Sequence, residues 1–155
     1  MAKKAKLGYR IDKILSTKFS FEDIGESELE QLLKKPKALG ININTALEFD
    51  NEKSTINFDI NTSLFISIDK KKLVEHTGRT SYFVEGLIST FNNETDSYDL
   101  PDALMLQMAG IAFSHARALL ATELNTTVFS NKYFLPVIDP KTLLPQKENN
   151  ENHSA

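Results

Sequence analysis

Along its first half the chain alternates hydrophobic and polar residues; in its second half apolar residues recur every three or four positions. From Tyr9 the period is two, with Tyr9, Ile11, Leu15, Thr17, Phe19 and Phe21 set against Arg10, Asp12, Ser16, Lys18, Ser20 and Glu22. Successive side chains of a strand point to opposite faces, so this run predicts a long first strand with one apolar face. The alternation slips near Lys13 and Ile14, where a bulge is expected. Residues 23–40 break the pattern. The stretch 27–35 is rich in helix formers and Pro36 ends any helix it makes, so a short helix and a crossover loop both fit.

Alternation returns with Ile41, Ile43, Thr45, Leu47 and Phe49, and again with Ile56, Phe58, Ile60, Thr62, Leu64, Ile66 and Ile68. Between the two runs lies the polar turn Asp50, Asn51, Glu52, Lys53, which predicts a β-hairpin. Residues 69–79 read as a charged connection. A fourth strand is expected over 80–92, with apolar residues at both parities: Tyr82, Val84 and Ile88, but also Phe83, Leu87 and Phe91. It is either a central strand covered on both faces or a strand with one face against a partner.

After a turn over 92–99, Pro101 stands in the first turn of a long helix, and Asp99 and Asp102 suit its positive end. Met105, Met108, Ala109, Ala112, Ala116, Leu119 and Leu120 form one broad apolar stripe, the surface expected to lie on the sheet. Its alanines permit close approach of the helix backbone. Leu104 and Ile111 lie on the other side with His115, more apolar surface than a solvated face needs, so contact with a helix of another subunit is expected there. Farther on, Asp139 and Pro140 are placed to cap a single turn carrying Leu143 and Leu144. One helix of about 23 residues spans about 35 Å at 1.5 Å per residue. It cannot cover every apolar strand face, and the remainder predicts open apolar grooves or a subunit interface.

Composition narrows the function classes. The 155 residues are 41% hydrophobic, which suits a single domain over residues 9–145, flanked by a mobile tail over 1–8 and a disordered polar tail over 146–155. There is no cysteine, so disulfides and thiolate metal sites are excluded and a reducing cytoplasm fits. A basic N-terminus without a following apolar stretch is no signal peptide, and no run is expected to reach the ~20 apolar residues of a membrane span. The net charge of −3 disfavours nucleic acid as a partner, and Lys70, Lys71 and Lys72 read as a solvated loop. Catalytic groups do not converge. His115 lacks a nucleophile and an orienting carboxylate in sequence, no His/Asp/Glu cluster has ligand spacing, and no glycine-rich loop cradles phosphate, so neither an enzyme nor a cofactor is expected.

Taken in order, several segments resemble the SecB-type export chaperones. YRIDKILSTKFSFE is similar to that family's first strand, ININTALEF to its second, YFVEGLISTF to a later strand segment, and LPVIDPKTLL to the run after its long helix. The resemblance covers most of the chain. It implies an α+β fold in which a four-stranded antiparallel sheet is covered by one long helix, assembled as a dimer of dimers through helices. It also implies ATP-independent holding of unfolded precursor proteins in apolar grooves, by position at Ile41, Ile43, Thr45, Leu143 and Leu144. An acidic patch for docking the export translocase motor would use Glu22, Phe83 and Glu85, with Lys18 standing where an aspartate is expected. The family's C-terminal helix is nearly absent here, replaced by Pro145 and the polar tail. Two other functions fit the residues: a chaperone dedicated to a single antitoxin-like partner, and a small-ligand-binding or enzymatic α+β domain using His115.

Overall fold

In the computed structural model, residues 7–144 are described; the terminal tails, apart from Leu7 and Gly8, and the stop at Pro145 lie outside them. The long strands are β1 (Tyr9–Phe21), β2 (Leu39–Asp50), β3 (Thr55–Ile66) and β4 (Lys72–Val84), all antiparallel, in the order β1-β4-β3-β2. Helix α1 (Glu26–Lys34) carries the chain from one sheet edge to the other. Glu26 and Glu28 sit in its first turn, Lys34 closes its last, and it buries Leu29. The choice between helix and loop is thus settled by helix.

The hairpin of β2 and β3 forms as expected, residue for residue from Leu39 opposite Ile66 to Asp50 opposite Thr55. Asp50 accepts a hydrogen bond from the Lys53 amide at 3.1 Å, and Ser54 closes the turn at φ 53°. The fourth strand differs from its expected span of 80–92. It begins at Lys72, after a tight turn in which Asp69 accepts from the Lys71 amide and the Ile66 amide donates to the Lys71 carbonyl. It ends at Val84 because Gly86 turns left-handed at φ 75°, and Leu87–Thr90 winds into a 3-10 turn. Its inward positions include His76, Gly78 and Thr80, none of them apolar, which hid the strand's first half from a hydrophobic pattern. Beyond the turn, β5 (Phe91–Asn92) and β6 (Ser97–Tyr98) make a small hairpin whose Tyr98 stacks on Phe49 at 4.4 Å.

Strand β1 holds two bulges, not one. Its register against β4 shifts between Ile11 and Lys13 and again between Ser16 and Lys18. Each extra residue reverses the parity, so Tyr9, Ile11, Ile14, Ser16, Phe19 and Phe21 share the face opposite Val84, Tyr82, Thr80, Gly78, His76 and Val74. Leu15 and Thr17 therefore do not belong to that face, contrary to the simple alternation.

Helix α2 (Asp102–Glu123) lies across this face, buries Met108, Ala109, Ala112, Phe113, Ala116 and Leu120, and has its main packing on β4. Close approach is built into both partners: a Cβ on Gly78 would stand 3.1 Å from the backbone of Ala116. Polar ties fix the helix in place. The Tyr82 hydroxyl donates to the Met108 carbonyl and the Tyr9 hydroxyl to Gln107, each at 2.6 Å. Residues 102–126 are, by length and mean hydropathy, apolar enough to cross a bilayer, contrary to the sequence expectation. Part of that hydrophobicity is spent on the sheet. After α2 the chain buries Phe129, Tyr133 and Leu135 and reaches a 3-10 turn, Pro140–Leu143, with Asp139 capping the Lys141 amide as anticipated.

Candidate functional site

The inner face of the sheet is broader than the helix on it. Its middle is closed: Ile56, Phe58 and Ile60 of β3 and Tyr82 and Val84 of β4 have no exposed surface. Its margins are open. On β1, Ile11, Ile14 and Phe21 are each 44% exposed, and on β2 Ile41 is 39% exposed. The β1 margin is open although α2 packs on β1 as well as on β4 and β3, and β2 is approached by the turn Pro140–Leu143 and, at Phe49, by Tyr98 of β6. Pro140 of that turn packs against Gly110 of α2, where a Cβ would lie 3.4 Å from the proline ring.

The five residues of the expected groove meet on the β2 side in different roles. Ile41, Ile43 and Thr45 alternate along the inner face, with Ile43 and Thr45 half-buried. The Thr45 hydroxyl is buried without a hydrogen-bond partner. Leu143 is a core residue at 5% exposure, whereas Leu144, next in the chain, is half-buried. Sequence reasoning missed Phe134 and Val137, 57% and 82% exposed on the segment leading to the terminal turn. A hydrophobic residue in a loop carries no periodic signal that separates outward from inward.

Leu104 and Ile111 are both half-buried and packed against the core. Ile111, Leu106, Gly110 and Ser114 line an open depression of about 500 Å³ on the outward side of α2. His115, placed with them by sequence, lines the same depression, and its Nδ1 pairs with the Thr80 hydroxyl at 2.9 Å. Burial lowers its pKa. A second histidine was overlooked because it fell in a supposed loop: His76 is a core residue on β4, with Nε2 2.9 Å from the Ser16 hydroxyl and Nδ1 unpartnered. Desolvation lowers its pKa against an opposing pull from Glu123. Among the described residues no group of His, Asp and Glu is arranged to hold a metal.

The docking candidates are not one patch. The Glu22 amide donates to the Leu73 carbonyl at one end of the sheet. Phe83 lies ten residues along the same strand from Leu73, roughly 33 Å away at 3.3 Å per residue. Glu85 is farther still, its amide bound to the Gly8 carbonyl. Phe83 is covered by the Arg10 guanidinium, 4.2 Å from the ring centroid. The acid that does stand beside Lys18 is Glu75, 3.5 Å from it and 2.8 Å from Lys72. Its pKa is lowered, first by the hydrogen bond from Lys72. Glu75 was missed for the same reason as His76, namely the late start assigned to the fourth strand.

No family model and no curated protein matches this chain. Among solved structures, it is similar to a SecB-like chaperone of Mycobacterium tuberculosis, Rv1957, in complex with a peptide from the HigA1 antitoxin, at 9% identity and a TM-score of 0.49 over 84% of this chain and 86% of that one. It is also similar to a protein of unknown function from Streptococcus agalactiae, at 11% identity and a TM-score of 0.37 over 86% of this chain and 99% of the other.

Proposed function

We propose that this chain is an ATP-independent holding chaperone that binds unfolded polypeptides along the open margins of its sheet. The observation that carries the reading is the line of exposed apolar residues on one face, Ile11, Ile14 and Phe21 at one edge and Ile41 at the other. A single exposed isoleucine is ordinary, but three exposed apolar residues along β1, with Ile41 beside half-buried Ile43 and Leu47 on β2, leave apolar surface open on both sides of a closed core. Covering each such side chain with a client contributes on the order of 1.5–3 kcal/mol and needs no particular client sequence. The ordered resemblance of its segments to SecB-type export chaperones points the same way.

In this reading Ile41, Ile43, Thr45 and Leu144 touch the client and Leu143 holds their floor. Leu104 and Ile111 join helices of neighbouring subunits into a cytoplasmic dimer of dimers, which multiplies the margins available to one long client. His115, which lines the same depression as Ile111 while its Nδ1 pairs with Thr80, belongs to that interface. The clients are unfolded precursor proteins. A second reading, a chaperone dedicated to one antitoxin-like partner, is favoured over hand-over to an export translocase motor by Glu75. Its carboxylate is already shared by Lys18 and Lys72, so it offers little charge to a basic docking segment.

The test is suppression of aggregation of a chemically unfolded client, with mass by light scattering on the same sample. An oligomer that suppresses aggregation near one client per assembly is expected. A monomer without effect on aggregation ends the reading, and capture of one dominant client decides for the dedicated form.

A further inference from the structure

The lysine run 70–72, a solvated loop by sequence, does not stand alone in the structure. The β3–β4 turn that carries it lies beside the connection from α1 to β2, the Ser67 amide donating to the Ala38 carbonyl at 2.8 Å. Leu39 stands opposite Ile66 just behind, so both turns project from the same end of the sheet. Residues 34–38 bring Lys34, Lys35 and Lys37, and residues 67–72 bring Lys70, Lys71 and Lys72 together with one acid, Asp69. Six lysines and one aspartate make a net +5; the whole chain carries −3, so the rest of it carries −8.

All six lysines are exposed. Lys72 is paired with Glu75 at 2.8 Å, and Lys70 lies over the Phe65 ring, 5.2 Å from its centroid. Among the described residues, Lys34, Lys35, Lys37 and Lys71 have no ion-pair partner. Two of the six hold the left-handed backbone of their turns, Lys37 at φ 62° and Lys70 at φ 61°. Glycine or asparagine meets that geometry at lower cost, so turn formation does not account for lysine there. An apolar tip stands among these charges. Ile68 is 94% exposed, the most exposed large apolar side chain among the described residues, and Leu33, next to Lys34, is 45% exposed.

We propose that this end of the sheet docks on an anionic lipid bilayer, with the lysines against the headgroups and Ile68 entering the boundary with the acyl chains. The isoleucine selects the class of partner. A nucleic-acid phosphate backbone gives an aliphatic tip nothing to bury in, and the nearby ring on which a base could stack, Phe65, is covered by Lys70. A bilayer supplies negative charge at its surface and hydrocarbon beneath it. The same surface repels the acidic remainder of the chain, which orients the molecule with the two turns toward the lipid. The inference does not rest on the chaperone reading.

The experiment sediments the full chain with extruded vesicles of phosphatidylcholine alone and of phosphatidylcholine with an equal part of phosphatidylglycerol. Binding to the anionic vesicles only, weakening as salt is raised, is expected. A basic residue near such a surface contributes roughly fivefold, so the triple variant Lys35→Gln, Lys37→Gln, Lys71→Gln should bind on the order of a hundredfold more weakly. The chain has no tryptophan, so Ile68→Trp reports on the tip alone. Its emission should move to the blue on anionic vesicles and be quenched by brominated acyl chains. Equal binding to both vesicles, or to neither, overturns the proposal, as does undiminished binding of the triple variant. An unshifted emission from Ile68→Trp on bound vesicles overturns it as well. Single-stranded RNA or poly-glutamate that displaces the chain from the vesicles would assign the lysines to another polyanion, and a lower assembly mass in Ile68→Ser would assign the tip to a second copy of the chain; either result ends the bilayer assignment.

Discussion

The two faces of the sheet are built from the same strands and held by different forces. On the helix side, Ile56, Phe58, Ile60 and Tyr82 are sealed under α2, and their contribution is apolar burial. On the other side polar residues link strand to strand. Asn61 donates to Asn44 at 2.9 Å, Thr77 donates to Asn61 at 2.7 Å, and Arg79 grips both oxygens of Asp59 at 2.7 and 2.9 Å. Those groups already satisfy one another, so the outer face offers a client little that water does not. Under the proposed function the difference favours apolar capture at the margins of the inner face, with Leu15 of β1, 39% exposed, the large apolar side chain left open on the outer face.

Substitutions on the two faces should separate in size. Phe58→Ala removes a fully buried ring and is expected to destabilise by about 3–5 kcal/mol, read from urea unfolding midpoints at constant slope. Gly78→Val drives a side chain into Ala116 and Leu119 and should destabilise by about 1–3 kcal/mol, or displace α2 and expose core to a hydrophobic dye. On the outer face, Asp59→Asn weakens the paired hydrogen bonds from Arg79, both groups being partly exposed, and should lower stability by roughly 1 kcal/mol, less at high salt. Asn61→Ala should fall below about 1 kcal/mol. Outer-face losses as large as that of Phe58→Ala would abolish the distinction.

pH tests the inner face separately. Burial favours neutral His76 in the folded chain, so its pKa lies below that of the unfolded chain. The stability it confers is complete above the unfolded value near 6.5 and is lost as pH falls below that toward the depressed folded value. The urea midpoint of the wild type should therefore drop between about pH 7 and pH 5. His76→Gln should show a shallower slope, the remainder including His115, whose pKa is lowered in the same sense. Equal slopes would mean that His76 is not held neutral by its surroundings.

Much of this architecture was legible in the chain. The hairpin of β2 and β3 announced itself because its inward positions are nearly all Ile, Leu or Phe and its turn is polar. The α2 stripe was equally plain, apart from Phe113, which it omitted. Strand β4 was read eight residues late because its first inward positions include a histidine, a glycine and a threonine, kept there by Ser16, Ala116 and His115. Those partners are distant in sequence, so no local pattern reports them. The late start also hid Glu75, and the antiparallel register of β1 on β4 puts Glu22 and Phe83 at opposite ends of the sheet. On β1 one bulge was anticipated, and the second restored the original parity, leaving Phe19 and Phe21 where simple alternation put them and displacing only the residues between. The groove residues of β2 could be read by position, but the core placement of Leu143 could not, since it depends on where the terminal turn folds back.

The bulges of β1 also set where its length can change. Asp12 and Thr17 are the residues without a paired partner, so removal of either would straighten the strand while every other side chain kept its opposite number on β4. Removing Leu15 instead would leave the chain one residue short between two paired stretches, and Ile14 or Ser16 would have to cross to the other face. The strand is thus divided into three blocks that can move relative to one another in sequence by one residue without moving in space, and insertions or deletions in β1 should be tolerated at those two joints and nowhere between them.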